Sequence, residues 1–67
     1  MYTTQELTQL RKRITHCMEE SGIRLSTMAE KTGWKYSYLI DFKRAKVNGT
    51  EEKLQALKSW LDAHEPR

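Results

Sequence analysis

The sequence predicts an all-α fold, a compact four-helix domain with a central helix-turn-helix. Apolar residues recur at spacings of three and four, which is the periodicity of helices with one buried face. Glycine and proline are scarce, with three glycines and one proline, whereas a sheet with many turns needs more of both. One glycine, Gly33, lies between two short helical segments and can adopt the left-handed conformation that ends a helix.

Length and composition predict a single domain, residues 1–67, and they also bear on the cellular compartment in which it is expected. One cysteine cannot form an internal disulfide, and no apolar run approaches the roughly 20 residues of a membrane span. The amino terminus lacks the layout of a signal peptide. We therefore expect a cytoplasmic protein with no membrane role. The net charge of +3 is mildly basic, so the placement of the cations matters more than their total.

The first of the four helices is predicted over about residues 3–20. Thr3 and Glu6 have the spacing of a capping box, and Gly22 takes the place of a C-cap. The basic run Arg11–Arg13 is either a solvated face or a contact to a nucleic-acid backbone. The apolar stripe, with Cys17 at its border, consists of Leu7, Leu10, Ile14 and Met18.

The second and third helices are predicted over about residues 24–32 and 35–44. Leu39 and Phe42 are three residues apart, so they share the inward face of the third helix. Lys35 opens that helix, and lysine cannot cap it because its side chain has no acceptor. Two outward rows are expected: Tyr36, Ile40 and Arg44 in one, Ser37 and Asp41 in the other.

The last helix is predicted over about residues 50–64. Asn48–Gly49 is a turn dipeptide, Thr50 is a cap residue, and Pro66 cannot extend the helix. Its inward stripe is Leu54, Leu57, Trp60 and Leu61.

The two tryptophans each have two possible roles. Trp34 is either part of the core or an extension of the outer surface beside Tyr36. Trp60 and Leu61 close the core, or else the last helix forms a dimer seam and Trp60 stays partly exposed.

Catalytic and metal-binding constellations are not apparent. His16 and Cys17 are adjacent, so they point about 100° apart on a helix and do not form a metal site. The chain has no glycine-rich phosphate loop and no nucleophile with a base and an orienting group. We predict a protein that is not an enzyme and that needs no cofactor, metal or small-molecule substrate.

Residues 28–42 resemble the lambda-repressor-like, or Xre-type, helix-turn-helix family. Residues 29–61, with the Asn48–Gly49 turn and the Trp60–Leu61 helix end, are similar to the amino-terminal domains of phage transposition ATPases of the Mu type. The residues that match the helix-turn-helix family are Met28, Ala29, Gly33, Trp34, Ser37, Tyr38, Leu39 and Phe42.

The resemblance implies that the third helix enters the major groove of double-stranded DNA. Ile40 would contact a thymine methyl group, and Asp41 would accept a hydrogen bond from cytosine. The implied base-facing residues are Tyr36, Ser37, Ile40 and Asp41. The implied phosphate-facing residues are Arg24, Lys35, Lys43, Arg44, Lys46 and Asn48.

Several functions remain open at this stage. The same exposed helix face suits a protein partner, so the alternative is an interaction module that acts as an adaptor or inhibitor. A DNA-binding domain of phage or mobile-element type would act at the nucleoid. It would be either a small transcriptional regulator, which reads two half-sites as a homodimer, or the DNA-binding domain of a transposition protein.

Overall fold

The computed structural model describes residues 2–64. This part of the chain folds into four α-helices and contains no strand. They are α1 (Thr4–Ser21), α2 (Leu25–Thr32), α3 (Tyr36–Lys43) and α4 (Glu51–His64). The predicted all-α class is confirmed, and each helix begins and ends within one residue of its prediction. Pro66, which is predicted to stop the last helix, lies outside the described residues. Within them, no helix has the length and apolar character that crossing a membrane requires.

The helix starts fall into two kinds. The Thr3 hydroxyl accepts a hydrogen bond from the Glu6 N–H (3.1 Å), and the Glu6 carboxylate accepts one from the Thr3 N–H (3.0 Å), so the predicted capping box is confirmed. Thr50 caps α4 through its hydroxyl, also as predicted. In contrast, α2 and α3 start at Arg24 and Lys35 without a side-chain cap. Their first-turn amides therefore remain at the positive end of each helix dipole without a side-chain acceptor.

The residues after α1 and α2 adopt the conformations expected of them. Gly22 has a φ of 69° and Gly33 has a φ of 79°, which are left-handed values that glycine adopts without strain. The Trp34 N–H donates to the Ala29 carbonyl across the bend (2.9 Å). The bend between α2 and α3 is therefore a consequence of Gly33 together with the backbone bonds around it, and it is compatible with a helix-turn-helix.

The connection from α3 to α4 differs from the prediction. The turn lies directly after α3, at Arg44–Ala45, and not at Asn48–Gly49. Gly49 does have a positive φ of 75°, but close packing also constrains it. A Cβ atom there would lie 3.2 Å from Leu54 Cδ2 and 3.4 Å from Trp34 Cη2. Gly49 is thus required where the connection approaches the core.

The turn after α3 places an alanine in the left-handed region, with a φ of 63° at Ala45. The Ala45 N–H donates to the Phe42 carbonyl (3.0 Å), and the Lys46 N–H donates to the Asp41 carbonyl (2.8 Å). This pair of bonds is the Schellman arrangement, in which glycine is the usual left-handed residue. The absence of glycine is the reason that the sequence did not predict this turn.

One apolar core joins the helices. α1 and α2 each pack against both α3 and α4. Cys17, predicted at the border of the stripe, is buried, whereas Met18 is half-buried and packs against the edge of the core. Neighbouring helical side chains point about 100° apart, so Cys17 faces the core more directly than Met18 does. The buried apolar residues are Leu7, Leu10, Ile14, Cys17, Met28, Ala29, Trp34, Leu39, Phe42, Leu54, Leu57 and Leu61.

Both tryptophans have defined positions. Trp34 is buried and belongs to the core, where its Nε1–H donates to the Lys53 carbonyl of α4 (3.0 Å). Its ring meets the Phe42 ring edge to face, with 5.2 Å between centroids. Trp60 is half-buried at the edge of the core and stacks on His64, with 4.6 Å between centroids. Trp34 therefore links the bend between α2 and α3 to the first turns of α4.

Candidate functional site

The three cations of the run Arg11–Arg13 have different environments. The Arg11 guanidinium donates from Nε to the Phe42 carbonyl (2.7 Å) and from Nη2 to the Val47 carbonyl (3.1 Å). It also lies over the Phe42 ring, 4.6 Å from the centroid. Arg11 therefore fastens α1 to the carboxyl end of α3, and its role is structural.

Arg13 and Lys12 differ from Arg11 and from each other. Arg13 Nη2 lies 2.6 Å from Asp62 Oδ1, an ion pair that joins α1 to α4. Lys12 is exposed, and among residues 2–64 it has no described hydrogen bond or ion pair. Of the run, Lys12 is the cation whose ammonium group is available to a ligand.

An open groove of about 670 Å³ lies between α1 and α3. Because Arg11 contacts residues at the carboxyl end of α3, and Glu19 lines the groove together with Tyr36, α1 and α3 run antiparallel along it. A second depression next to the start of α2 shares Glu19, Leu25 and Tyr36 with the groove. The residues that line the groove are Thr8, Arg11, Lys12, Thr15, His16, Glu19, Leu25, Tyr36, Ile40, Lys43 and Arg44.

The charged residues that line this groove are mostly cationic. Four of the twelve Lys and Arg residues of the chain line it, against one of the nine Asp and Glu residues. The lining thus has a local excess of three positive charges, which equals the formal net charge of +3 of the whole chain. The residues of the sequence that do not line the groove include equal numbers of cationic and anionic side chains. An anionic ligand would therefore be attracted to the α1–α3 face.

The predicted base-facing residues lie on two sides of α3. Tyr36, 52% exposed, and Ile40 line the groove, whereas Ser37 and Asp41 do not. Ile40 and Asp41, both expected to face outward, are half-buried, so the outward rows of α3 are less exposed than the sequence predicts. α3 has eight residues and packs on both α1 and α2, which leaves it a narrower free face than an isolated helix has. Only Tyr36 and Ser37, in its first turn, are exposed.

The predicted phosphate-facing residues are also distributed. Lys43 is half-buried and Arg44 is exposed, and both line the groove. Arg24 lines the adjoining depression, and the exposed Lys35 is the N-cap residue of α3. Lys46 is exposed but does not line the groove.

Asn48 is separate from this set. It lines a different cavity, which it shares with Tyr2 and Leu7. The structure thus brings Arg24, Lys43 and Arg44 to the groove and its extension, and it leaves Asn48 elsewhere.

Sequence reasoning named the run Arg11–Arg13 as a backbone contact in one of two alternatives, but it missed the row of α1 residues that lines the groove. Thr8, Lys12 and His16 are four residues apart, so the helical repeat places them in one row opposite the apolar stripe. That spacing could have revealed the row. Its position beside α3 could not have been inferred, because it depends on how the two helices pack.

The described residues contain no group of three or more His, Cys, Asp or Glu side chains that could hold a metal ion. Cys17, the one cysteine, is buried in the core. The chemistry that the groove offers is therefore hydrogen-bond donation and positive charge, next to one exposed aromatic ring.

Comparison with protein-family models, curated proteins and solved structures finds no match for this chain. The features of this chain that bear on its function are therefore the groove, the charge of the groove and the two uncapped helix starts.

Proposed function

We propose that this protein binds double-stranded DNA and inserts α3 into the major groove. The observation that supports the proposal most strongly is the local excess of three positive charges on the α1–α3 groove, whereas the other residues of the sequence include equal numbers of cationic and anionic side chains. Phosphates are the dominant anionic groups of DNA, and their neutralisation by Lys and Arg supplies most of the affinity in such complexes.

The uncapped starts of α2 and α3 support the same proposal. Arg24 and Lys35 occupy the N-cap positions, where amides and the helix dipole favour a phosphate and the side chain adds a positive charge. These contacts position the domain without reading sequence. Tyr36 and Ser37, exposed in the first turn of α3, then reach base edges, with Ile40 next to them for a thymine methyl group.

The resemblance to lambda-repressor-like proteins and to phage transposition ATPases indicates two biological roles for this DNA binding. The chain acts either as a small transcriptional regulator or as the DNA-binding domain of a transposition protein. A random-site selection distinguishes the two. Enrichment of a palindromic site, together with a dimeric mass in sedimentation, indicates a regulator. Weak enrichment with a monomeric mass indicates the transposition role.

Duplex binding measured against salt tests the proposal. We expect log Kd for a labelled random duplex to rise linearly with log salt, by about 0.9 per phosphate contact. The double variant Lys35→Ala with Arg44→Ala should lower that slope by about 2. A matched control is Lys31→Ala with Lys58→Ala, which removes the same charge from exposed positions that do not line the groove. Equal behaviour of the two double variants would contradict the proposed interface.

A second candidate function is supported by the apolar part of the groove. Tyr36, Ile40 and the half-buried Leu25 all line it, and they would suit an apolar segment of a protein partner. This adaptor or inhibitor role predicts a salt-tolerant complex that Ile40→Asp abolishes. A complex that dissociates with salt and withstands Ile40→Asp would exclude it.

A further inference from the structure

We propose that α1 forms the second wall of the DNA-binding surface, and that a sugar–phosphate strand lies in the groove between α1 and α3. Lys12 contacts the strand from α1, and Lys43 and Arg44 contact it from α3. The inference rests on the proposed DNA binding. It adds a helix that the helix-turn-helix resemblance does not assign to the interface.

The polar groups of α1 in the groove are not equivalent. Arg11 uses its guanidinium on the Phe42 and Val47 carbonyls. The Thr8 and Thr15 hydroxyls donate within α1, to the Thr4 carbonyl (3.0 Å) and to the Arg11 carbonyl (3.3 Å). A phosphate oxygen accepts hydrogen bonds and cannot donate them, so these groups offer it little.

Among the α1 residues that line the groove, the exposed side-chain donors that remain are Lys12 and His16. Lysine has three N–H donors on a flexible stem and binds phosphate as a point charge, so Lys12 is the principal phosphate ligand of this wall.

The charge of the groove lining differs between its two ends. Glu19 and Tyr36 line the end next to the start of α3, so within the groove itself a carboxylate disfavours a phosphate there, whereas Arg24 and Lys35 lie outside the groove lining. Lys12 follows Arg11, which bonds to the carboxyl end of α3, and Arg44 is at that same end. The anion-binding half of the groove is therefore the half near Arg44, and the Glu19 half remains for the aromatic ring of Tyr36.

A nucleic-acid strand fits this surface better than an acidic amphipathic peptide does. Such a peptide needs apolar anchors in pockets, and Ile40 and Leu25 are already half-buried in the fold. Among residues 2–64, Tyr36 is the one large apolar side chain that is largely exposed. Cations on both walls match a line of phosphates, which needs no apolar contact.

Lys12→Ala tests the inference, with Lys58→Ala as the matched control on the exposed face of α4. We expect Lys12→Ala to raise the Kd for a random 20-base-pair duplex at least about threefold at moderate salt, and to lower the salt slope by about 0.9. Lys58→Ala should change neither quantity. Because Lys12 is exposed, circular dichroism should show the same thermal midpoint as the unmodified chain.

The outcomes separate this inference from the function on which it rests. If the unmodified chain shows no salt-dependent duplex binding, both fail. If it binds and Lys12→Ala behaves like Lys58→Ala, the DNA-binding proposal stands and the role of α1 is refuted. A poly-glutamate peptide serves as a second probe. Binding of that peptide with dependence on Lys12, without duplex binding, would assign the groove to an acidic protein partner.

Discussion

Ala45 is held in a conformation that its side chain disfavours, because the Schellman bonds after α3 require a left-handed residue there. An L-residue with a Cβ atom pays roughly 1–2 kcal/mol in that region, and glycine avoids this cost. Glycine also adds entropy to the unfolded chain, which offsets part of the gain.

We therefore expect Ala45→Gly to raise the free energy of unfolding by about 0.5–1 kcal/mol. Urea unfolding followed by circular dichroism measures the change. The control is Ala56→Gly on the exposed face of α4, which should lower the free energy of unfolding by up to about 1 kcal/mol. A loss of stability in both variants would mean that Ala45 is not strained.

The fold alters the titration of Glu6, in the first turn of α1. The Thr3 backbone N–H, followed by the Thr3 hydroxyl contact, stabilises the carboxylate and lowers the pKa of Glu6 below its ordinary value. A lowered folded-state pKa contributes stability above the unfolded pKa of about 4.3, and that contribution disappears as pH falls through the lowered pKa.

The carboxyl carbon of Glu6 should accordingly titrate at a lower pH in the folded chain than in urea, as followed by NMR. Thr3→Ala should move the folded midpoint upward, because it removes the contact of the hydroxyl with the carboxylate and leaves the bond from the Thr3 backbone N–H. Thr4→Ala, one residue further along, should leave it unchanged. An identical midpoint in folded and unfolded chains would contradict the capping box.

At the scale of elements, one side chain of α1 holds the carboxyl end of α3. We expect Arg11→Ala to lower the free energy of unfolding by about 2–3 kcal/mol, since two carbonyl bonds and the contact with the Phe42 ring are lost. Arg11→Lys should recover part of this, because an ammonium group cannot reproduce the guanidinium geometry. Lys12→Ala should stay within about 0.5 kcal/mol. Urea unfolding of all three variants provides the comparison, and equal losses at the two positions would contradict the structural role of Arg11.

The helices could be predicted from sequence because their signals are local. Thr3 with Glu6, Gly22, Gly33 and Thr50 each act within one turn of their own position, so their neighbours in sequence determine the outcome. The burial of residues at the edges of the inward helix faces could not be predicted in the same way. Whether Ile40 is covered depends on how α1 lies beside α3, and no local pattern encodes that packing.

The candidate site shows the same division. Arg24, Lys43 and Arg44 could be predicted to approach a common surface because the helix-turn-helix pattern orders α2 and α3. For α1, the sequence offered a nucleic-acid contact only as one of two alternatives for the run Arg11–Arg13. The run Arg11–Arg13 is uniform in sequence, and only tertiary contacts separate a structural arginine, an ion-paired arginine and an available lysine.

On the scale of the whole molecule, the core is small and every element depends on it. The Cα radius of gyration is 10.7 Å, close to the value of about 11 Å expected for a folded chain of this length. A domain of this size has a total stability of roughly 3–10 kcal/mol. Trp34 contacts α3 through Phe42 and α4 through Lys53, so its loss affects several elements together.

Trp34→Ala should therefore lower the free energy of unfolding by about 3–5 kcal/mol and leave much of the chain unfolded at 37 °C. Thermal melts followed by far-ultraviolet circular dichroism measure this loss. Trp60→Ala is the control, with a smaller expected loss because Trp60 is half-buried at the core edge. A larger loss at Trp60 would refute the assignment of Trp34 as the link between α4 and the rest.

Arg11 bonds to Phe42 in the last turn of α3 and to Val47 in the connection that follows, and these two bonds have a consequence for recognition. They fix the separation of α1 and α3 through the fold itself, so the width of the groove is set before any ligand arrives. A surface that is already in its bound shape loses little conformational entropy on association. The free and occupied forms of this domain should thus have nearly the same backbone, and recognition should proceed as rigid docking.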